Sequence, residues 1–139
     1  MKDKITYRSG YGYEPVARAS DFFEGWPNPP GEATFQAALR GSYAVEFAIA
    51  PEERVVGFVN ALSDGVAAAF IPWLEVVPEY RGRGIGSRLM RRMLDRLGHL
   101  YSVDLLCDPP LVAYYRRFGL MPIPGMGLRA PRNLDRTTG

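Results

Sequence analysis

Hydrophobic and polar positions alternate along several stretches of this chain, and the alternation predicts five strands. These cover residues 5–13, 43–50, 55–62, 67–77 and 101–107. The fourth is almost continuously apolar, which is typical of a strand near the centre of a sheet covered on both faces. A final hairpin is predicted over residues 121–129, around Pro124 and Gly125.

The clearest helical spacing begins after residue 84. Ile85, Leu89 and Met93 recur at every fourth position, while arginines fill much of the opposite side. Gly98 then stands where a helix commonly ends. The pattern predicts an amphipathic helix with one apolar face against the sheet.

Weaker patterns predict three shorter helices. Two of them lie between residues 15 and 40 and are separated by residues 25–31, whose prolines and glycines no helix can cross. The second of these covers residues 32–39. The third runs from the Asp108-Pro109 pair to Phe118, with Asp108 in the position of an N-cap.

Composition limits the class of protein. The 139 residues are 47% hydrophobic and 23% charged with a net charge of +2, which predicts a single domain over residues 1–130 and a flexible tail over 131–139. A single cysteine, Cys107, excludes an intramolecular disulfide, and the single His99 makes a metal site of His and Cys ligands implausible. We expect a cytoplasmic protein without metal or membrane partner, because we find neither a signal core nor the ~20 apolar residues of a membrane span.

The most informative segment follows the fourth predicted strand. Three alternating glycines, Gly82, Gly84 and Gly86, precede the long helix. Glycines let backbone N–H groups approach a ligand, and the start of a helix adds unpaired donors and a positive dipole. The spacing fits neither the dinucleotide fingerprint nor the Walker pattern, so it indicates an anion site of another kind, or else a turn that only changes the chain direction.

Residues 81–86, Arg-Gly-Arg-Gly-Ile-Gly, resemble the Arg/Gln-x-x-Gly-x-Gly/Ala acetyl-CoA signature of the GNAT acetyltransferase superfamily. Residues 113–120 are similar to a second family segment, Ala-x-x-Tyr-x-x-x-Gly-Phe, with Tyr115 and Gly119 in place, Leu120 at the aromatic position and Ala113 one position closer to the tyrosine. The predicted order of elements resembles the family fold over nearly the whole chain. The resemblance implies an α/β (α+β) fold, with a mixed, mostly antiparallel sheet splayed at the cofactor site and flanked by helices. A family asparagine is replaced here by Pro109, next to Asp108, which puts the cofactor contact of that side chain in doubt.

The resemblance also implies a function, the transfer of an acetyl group from acetyl-CoA directly to a primary amine. Backbone N–H groups at the start of the helix would hold the pyrophosphate, with added charge from Arg81 and from Arg88. The valines before Pro78 would pair with the amide-rich pantetheine arm, besides packing in the sheet. The predicted cofactor residues are Val76, Val77, Arg81, Arg83, Gly84, Ile85, Gly86 and Ser87.

Such a reaction needs a base, because an amine with a pKa of ~10.4 is protonated at neutral pH. Glu75 is the first candidate, being the ionisable residue in an otherwise apolar run, with Asp104 in reserve. An ion pair with an arginine or a solvated strand end would also explain Glu75. The resemblance points to Tyr115 as the acid that protonates the departing sulfur, although its helical face also suits a core aromatic, and Tyr114 lies on another face.

The acceptor is predicted least well. Residues 21–27 place two acids among Phe22, Phe23 and Trp26, a composition that suits a cationic amine with an apolar body. A solvated helix end with a buried Trp26 explains the segment equally well. Three further residues could line the same cleft or fill the core: Tyr43, Met121 and Met126.

Two other classes of function compete with an acetyltransferase. The arginine-rich helix is compatible with nucleic-acid binding, but the net charge of +2 and the absence of aromatic-basic repeats argue against that partner. A non-catalytic acyl-CoA-binding or interaction domain of the same fold would carry the same glycine turn. A homodimer is compatible with the sequence, but no motif predicts one.

Overall fold

The computed structural model describes residues 4–10, 17–130 and 132. Its strands form one sheet in the order β1 to β5, in which β1 to β4 are antiparallel neighbours and β5 runs parallel to β4. The mixed, mostly antiparallel sheet is therefore confirmed. The strands are β1 (Thr6–Ser9), β2 (Ala44–Ala50), β3 (Arg54–Ser63), β4 (Ala68–Val76) and β5 (Ser102–Asp104).

In the described residues, three α-helices accompany the sheet: α1 (Glu32–Arg40), α2 (Ile85–Arg96) and α3 (Val112–Arg116). The first two agree with the predicted helices to within one or two residues. Single 3-10 turns cover Ala19–Asp21, Pro51–Glu53, Pro78–Tyr80 and Pro109–Leu111. In the described residues before the proline-rich loop, the predicted helix is only the first of these turns.

Three of the predicted strand segments differ from the structure, and the helix predicted over 108–118 is shortened to α3 after a 3-10 turn. The last hairpin is wrong, since residues 121–130 contain no strand, and Pro122 and Pro124 remove two of the N–H groups that a ladder would need. The strand predicted over 101–107 shrinks to β5. The first strand ends at Ser9, because Gly10 turns the chain with a φ of +93°, and residues 11–13 of that prediction lie outside the described residues.

The two helical layers lie on opposite faces of the sheet. On one face, Gly57 of β3 lets α2 approach so closely that a Cβ there would stand 3.1 Å from Leu89 and 3.3 Å from Ile85. On the other face, the neighbouring Phe58 packs against Phe35 of α1, with ring centroids 5.4 Å apart. Neighbouring strand residues point to opposite faces, so β3 carries both layers and is buried over most of its length.

A buried carboxylate fastens α2 to the sheet. Glu46 of β2 is fully buried and forms ion pairs with Arg92 at 2.7 Å and Arg96 at 2.8 Å. Ser9 of β1 donates a third hydrogen bond to this carboxylate at 2.5 Å. A buried charge is tolerated only when it is paired and hydrogen-bonded, and each carboxylate oxygen is engaged here.

Replacing Glu46 with Gln is expected to lower the free energy of unfolding by about 2 kcal/mol. The figure lies below that of a fully buried pair, because the two arginine side chains keep 31% and 39% of their surface exposed and can turn to water. Urea denaturation measures the loss. Glu79→Gln, which breaks the exposed pair with Arg54, is the control and should change stability little; equal losses in both variants would contradict the role of Glu46.

Candidate active site

A groove opens where β4 and β5 separate. Their pairing covers Ala68 to Phe70 on β4 and Ser102 to Asp104 on β5, and β4 continues to Val76 beyond it. The groove has a volume of ≈ 770 Å³. Its walls come from the end of β4, the glycine turn, the start of α2 and the α3 segment.

The backbone of Val76 faces this groove. Val77 donates its N–H to the carbonyl of Val56 at 2.9 Å, and Val76 stands opposite Gly57. Bonded and non-bonded pairs alternate in an antiparallel ladder, so the N–H and C=O of Val76 point away from β3. The carbonyl of Val77 accepts a hydrogen bond from Tyr80, so Val77 serves the fold, and the edge open to a ligand is that of Val76.

The glycine turn directs the start of α2 into the groove. Gly84 is the N-cap residue, with a φ of +80° that favours glycine, and within the described chain no side chain caps this helix start. Gly84, Ile85, Gly86 and Ser87 all line the groove. Their unpaired N–H groups and the helix dipole make this end a site for an anion.

The predicted arginines take different positions around the turn. Arg81 lines the groove, but its side chain donates to the carbonyl of Val76 at 3.1 Å and pairs with Glu24 at 2.8 Å. The guanidinium of Arg83 lies over the ring of Tyr80, 4.6 Å from its centroid. Arg81 thus fastens the end of β4, while the Arg83 side chain is held by an aromatic face.

Two further residues bring α3 to the start of α2. Arg117 donates to the hydroxyl of Ser87 at 2.9 Å and lies 4.7 Å from the centroid of the Tyr114 ring. The Tyr114 hydroxyl stands 3.1 Å from where a Cβ of Gly86 would be, so a larger residue at 86 would have to displace this hydroxyl by a few tenths of an ångström. Sequence reasoning sets Tyr114 aside as lying on another helical face and misses Arg117, because the position of both depends on how α3 packs. Their place in the 113–120 segment is the signal that the sequence offers.

Glu75 and Tyr115 both line the groove and are half-buried. Burial raises the pKa of the Glu75 carboxyl, against the opposing effects of a hydrogen bond from the Phe23 N–H at 3.1 Å and the charge of Arg81. Burial also raises the pKa of Tyr115 to about 12, with smaller contributions from Tyr114, Cys107 and Glu75. The groove thus brings together a carboxylate that can accept a proton and a hydroxyl that stays protonated at neutral pH.

The residues predicted to contact the acceptor are mostly core. Phe22 and Phe23 are 6% and 2% exposed and pack with Phe35, Phe58 and Trp73. They cannot form an open pocket wall in this state, because large aromatic surfaces are most stable away from water. Trp26 is 37% exposed and leans on the Phe23 ring.

The remaining candidates lie apart from Glu75. Asp104 is exposed and lines a second cavity of ≈ 540 Å³ beside β5, together with Met121. Tyr43 and Met126 are exposed as well, so neither of these two fills the core. Tyr115 lines both cavities.

Residues 4–10, 17–130 and 132 contain neither a metal-ligand cluster nor a membrane-spanning helix. Over these, no three His, Cys, Asp or Glu side chains gather as metal ligands would. No helix in the same part of the chain is long and apolar enough to cross a membrane.

The sequence of the chain matches a known protein family and several named proteins. A model of the acetyltransferase (GNAT) family matches residues 16–120. The chain is 29% identical over 129 residues to a Glycine max protein named probable acetyltransferase TAP2, covering 84% of this chain and 52% of that protein. It is 29% identical over 73 residues to an uncharacterised N-acetyltransferase, ycf52, of Porphyra purpurea, covering 51% and 42%. The chain thus spans about half the length of these curated relatives.

Solved structures share the fold. A candidate acetyltransferase of Deinococcus radiodurans R1 superposes with a TM-score of 0.86 at 44% identity, covering 94% of this chain and 92% of that one. An aminoglycoside N-acetyltransferase, AAC(6′)-Iy, solved in complex with CoA, has a TM-score of 0.61 at 14% identity, covering 94% and 97%. At that identity the second likeness is one of fold alone.

Proposed function

Because the chain belongs to the acetyltransferase (GNAT) family, we propose that it is an N-acetyltransferase that moves an acetyl group from acetyl-CoA directly to a primary amine. The observation that carries the proposal is the groove at the end of β4, beyond its pairing with β5. One end holds the uncapped start of α2, and the walls beyond it carry the Glu75 carboxylate and the Tyr115 hydroxyl. The same groove therefore offers an anion site, an open strand edge and a pair of proton-transfer groups.

The residues present fit acetyl-CoA. The N–H groups at the start of α2 would hold the pyrophosphate, with Arg117 and Arg81 close enough to add charge. The pantetheine arm would lie along the edge of β4 that faces the groove, as a further strand would, while the Val76 carbonyl stays hydrogen-bonded to Arg81. When bound, acetyl-CoA supplies an activated acetyl thioester.

Each catalytic residue has one task in this proposal. Glu75 takes a proton from the ammonium form of the acceptor, directly or through water, so that the amine can attack the thioester carbonyl. The new C–N bond forms as the C–S bond breaks, the electron pair leaves on sulfur, and the second proton that the nitrogen loses passes to water. Tyr115 would donate a hydrogen bond to that sulfur, and the Val76 N–H would stabilise negative charge on the carbonyl oxygen.

Turnover tests the proposal against a non-catalytic acyl-CoA-binding domain. The assay follows release of the free thiol from acetyl-CoA with a panel of amines. The panel includes aminoglycosides, glucosamine 6-phosphate and histone peptides, because two structural neighbours and a curated relative are named for these acceptors. Thiol release above background with at least one amine is expected. If no amine exceeds background although CoA binds, the binding-domain alternative replaces the enzyme.

Gly84→Glu is expected to abolish CoA binding. The new carboxylate would lie at the helix start and occupy or repel the phosphate position. Wild-type protein should gain several degrees in melting temperature with saturating CoA, and the variant should gain none.

Gly10→Glu is the matched control for this variant. Both glycines have a positive φ, and in both a Cβ would meet nothing within 4 Å, so the backbone cost should be similar. The control should keep the full shift with CoA. A full shift in Gly84→Glu would contradict the anion site.

A further inference from the structure

Phe23 has an unusual backbone conformation directly beside the candidate base. Its φ is +67°, in the left-handed region that bulky residues rarely adopt because of steric strain. In this conformation its N–H donates to Oε1 of Glu75 at 3.1 Å. Strain of this kind persists only where the surroundings determine it.

Two sets of contacts hold the turn that contains Phe23. Its ring is 2% exposed and packs edge-on against Trp26 and Trp73, with both pairs of centroids 5.0 Å apart. The next residue, Glu24, pairs with Arg81 at 2.8 Å, and Arg81 is bonded to the carbonyl of Val76. The turn is thus attached to β4 at two places, at Trp73 before Glu75 and, through Arg81, at the Val76 carbonyl after it.

The result is a fixed orientation for the Glu75 side chain. A glutamate on a strand has three rotatable bonds, and a hydrogen bond to one oxygen selects among its rotamers. With Oε1 occupied by the Phe23 N–H, Oε2 is left for a proton from the groove. The groups that act on the charge of Glu75 are Arg81, which pairs with Glu24, and Tyr115 from the opposite wall.

We propose that Phe23 is a positioning residue, whose strained backbone presents its N–H to Glu75 so that the carboxylate meets the acceptor amine in one orientation. The inference rests on the proposed function, because it assigns a purpose to the orientation of the base. It differs from the sequence-based expectation for Phe23, since the contact comes from the main chain while the ring packs in the core.

Replacing the Phe23 amide by an ester, with phenyllactic acid at position 23, removes the N–H and keeps the ring. The ester protein is expected to show a Glu75 carboxyl pKa about one unit higher in a ¹³C NMR titration, because a donor to the charged form is lost. Its kcat should fall about 3- to 30-fold, with the KM for acetyl-CoA changed less than twofold. The acceptor for the rate measurement is an amine turned over by the wild type.

An ester at Trp26 is the matched control. The Trp26 N–H donates to the carbonyl of Phe23 at 3.1 Å, so it belongs to the same turn without touching Glu75. This control should leave the Glu75 titration within 0.2 units or so of wild type. If the two esters shift the titration and kcat equally, the positioning role of Phe23 is overturned.

The titration needs no acceptor, so it separates this inference from the proposed function. If no amine is turned over but the Phe23 ester alone moves the Glu75 titration, the hydrogen bond is upheld and the enzymatic proposal fails. If Glu75→Gln abolishes turnover while the Phe23 ester leaves kcat unchanged, the base is upheld and the positioning role fails.

Discussion

Glu75→Gln is expected to lower kcat about 10²- to 10³-fold at pH 7.5, with the KM for acetyl-CoA nearly unchanged. The amide keeps the shape of the side chain, and its oxygen can still accept the Phe23 N–H. It cannot take a proton from an ammonium group, so the loss belongs to proton transfer. Steady-state kinetics with a saturating amine measures it.

The pH dependence gives this prediction its sign. Burial raises the pKa of Glu75, and the base acts as the carboxylate, so wild-type kcat should fall as the pH falls through that raised pKa. This acidic limb should vanish in Glu75→Gln. The control is Glu79→Gln, which should keep the wild-type kcat and its fall at acidic pH. A Glu75→Gln enzyme with more than about a third of wild-type kcat would contradict the role of the base.

The stability of Glu75→Gln should not fall along with its kcat. A carboxyl whose pKa is raised on folding favours the folded state at low pH, and that contribution is lost as the pH rises from its unfolded pKa through the raised folded one. At pH 7.5 the ionised Glu75 therefore costs stability. Glu75→Gln should unfold at the same temperature as wild type or a higher one, which separates lost chemistry from lost structure.

The sequence predicted well what depends on local pattern. The bounds of α2 follow from the four-residue spacing of Ile85, Leu89 and Met93, and the glycine turn identifies the end of β4. Glu75 stands out in the sequence because a charge in an apolar strand is costly unless it faces a partner or a cleft. In the structure, β4 is no longer paired with β5 beyond Phe70, and the Glu75 carboxylate faces the groove.

What the sequence could not predict depends on distant contacts. Nothing in the pattern around Phe23 signals a positive φ, because that conformation comes from packing against Trp73 and Phe35, far along the chain. The ion pairs of the buried Glu46 with two arginines of α2 likewise connect residues about fifty positions apart in the sequence. The final hairpin is an element predicted from the sequence that the structure lacks. Its turn residues favour a hairpin, but two prolines in the segment weaken strand pairing.

Tyr115→Phe is expected to lower kcat about 10- to 100-fold, a smaller loss than that of Glu75→Gln. With a pKa of about 12, Tyr115 stays protonated throughout the working range. Complete transfer of its proton to a thiolate, whose conjugate acid has a pKa near ~8.5, is therefore unfavourable by roughly three orders of magnitude. The hydroxyl should act by a hydrogen bond to the developing thiolate, and the thiolate can leave unprotonated.

The same argument predicts a pH profile without a basic limb from Tyr115 below about pH 10. Tyr114→Phe is the informative comparison, because its hydroxyl lies beside Gly86 and Ser87 at the anion end of the groove. It should raise the KM for acetyl-CoA more than it lowers kcat, whereas Tyr115→Phe should do the reverse. Tyr101→Phe, at a side chain 94% exposed, should change neither constant. A loss of kcat in Tyr114→Phe with none in Tyr115→Phe would exchange the roles of the two tyrosines.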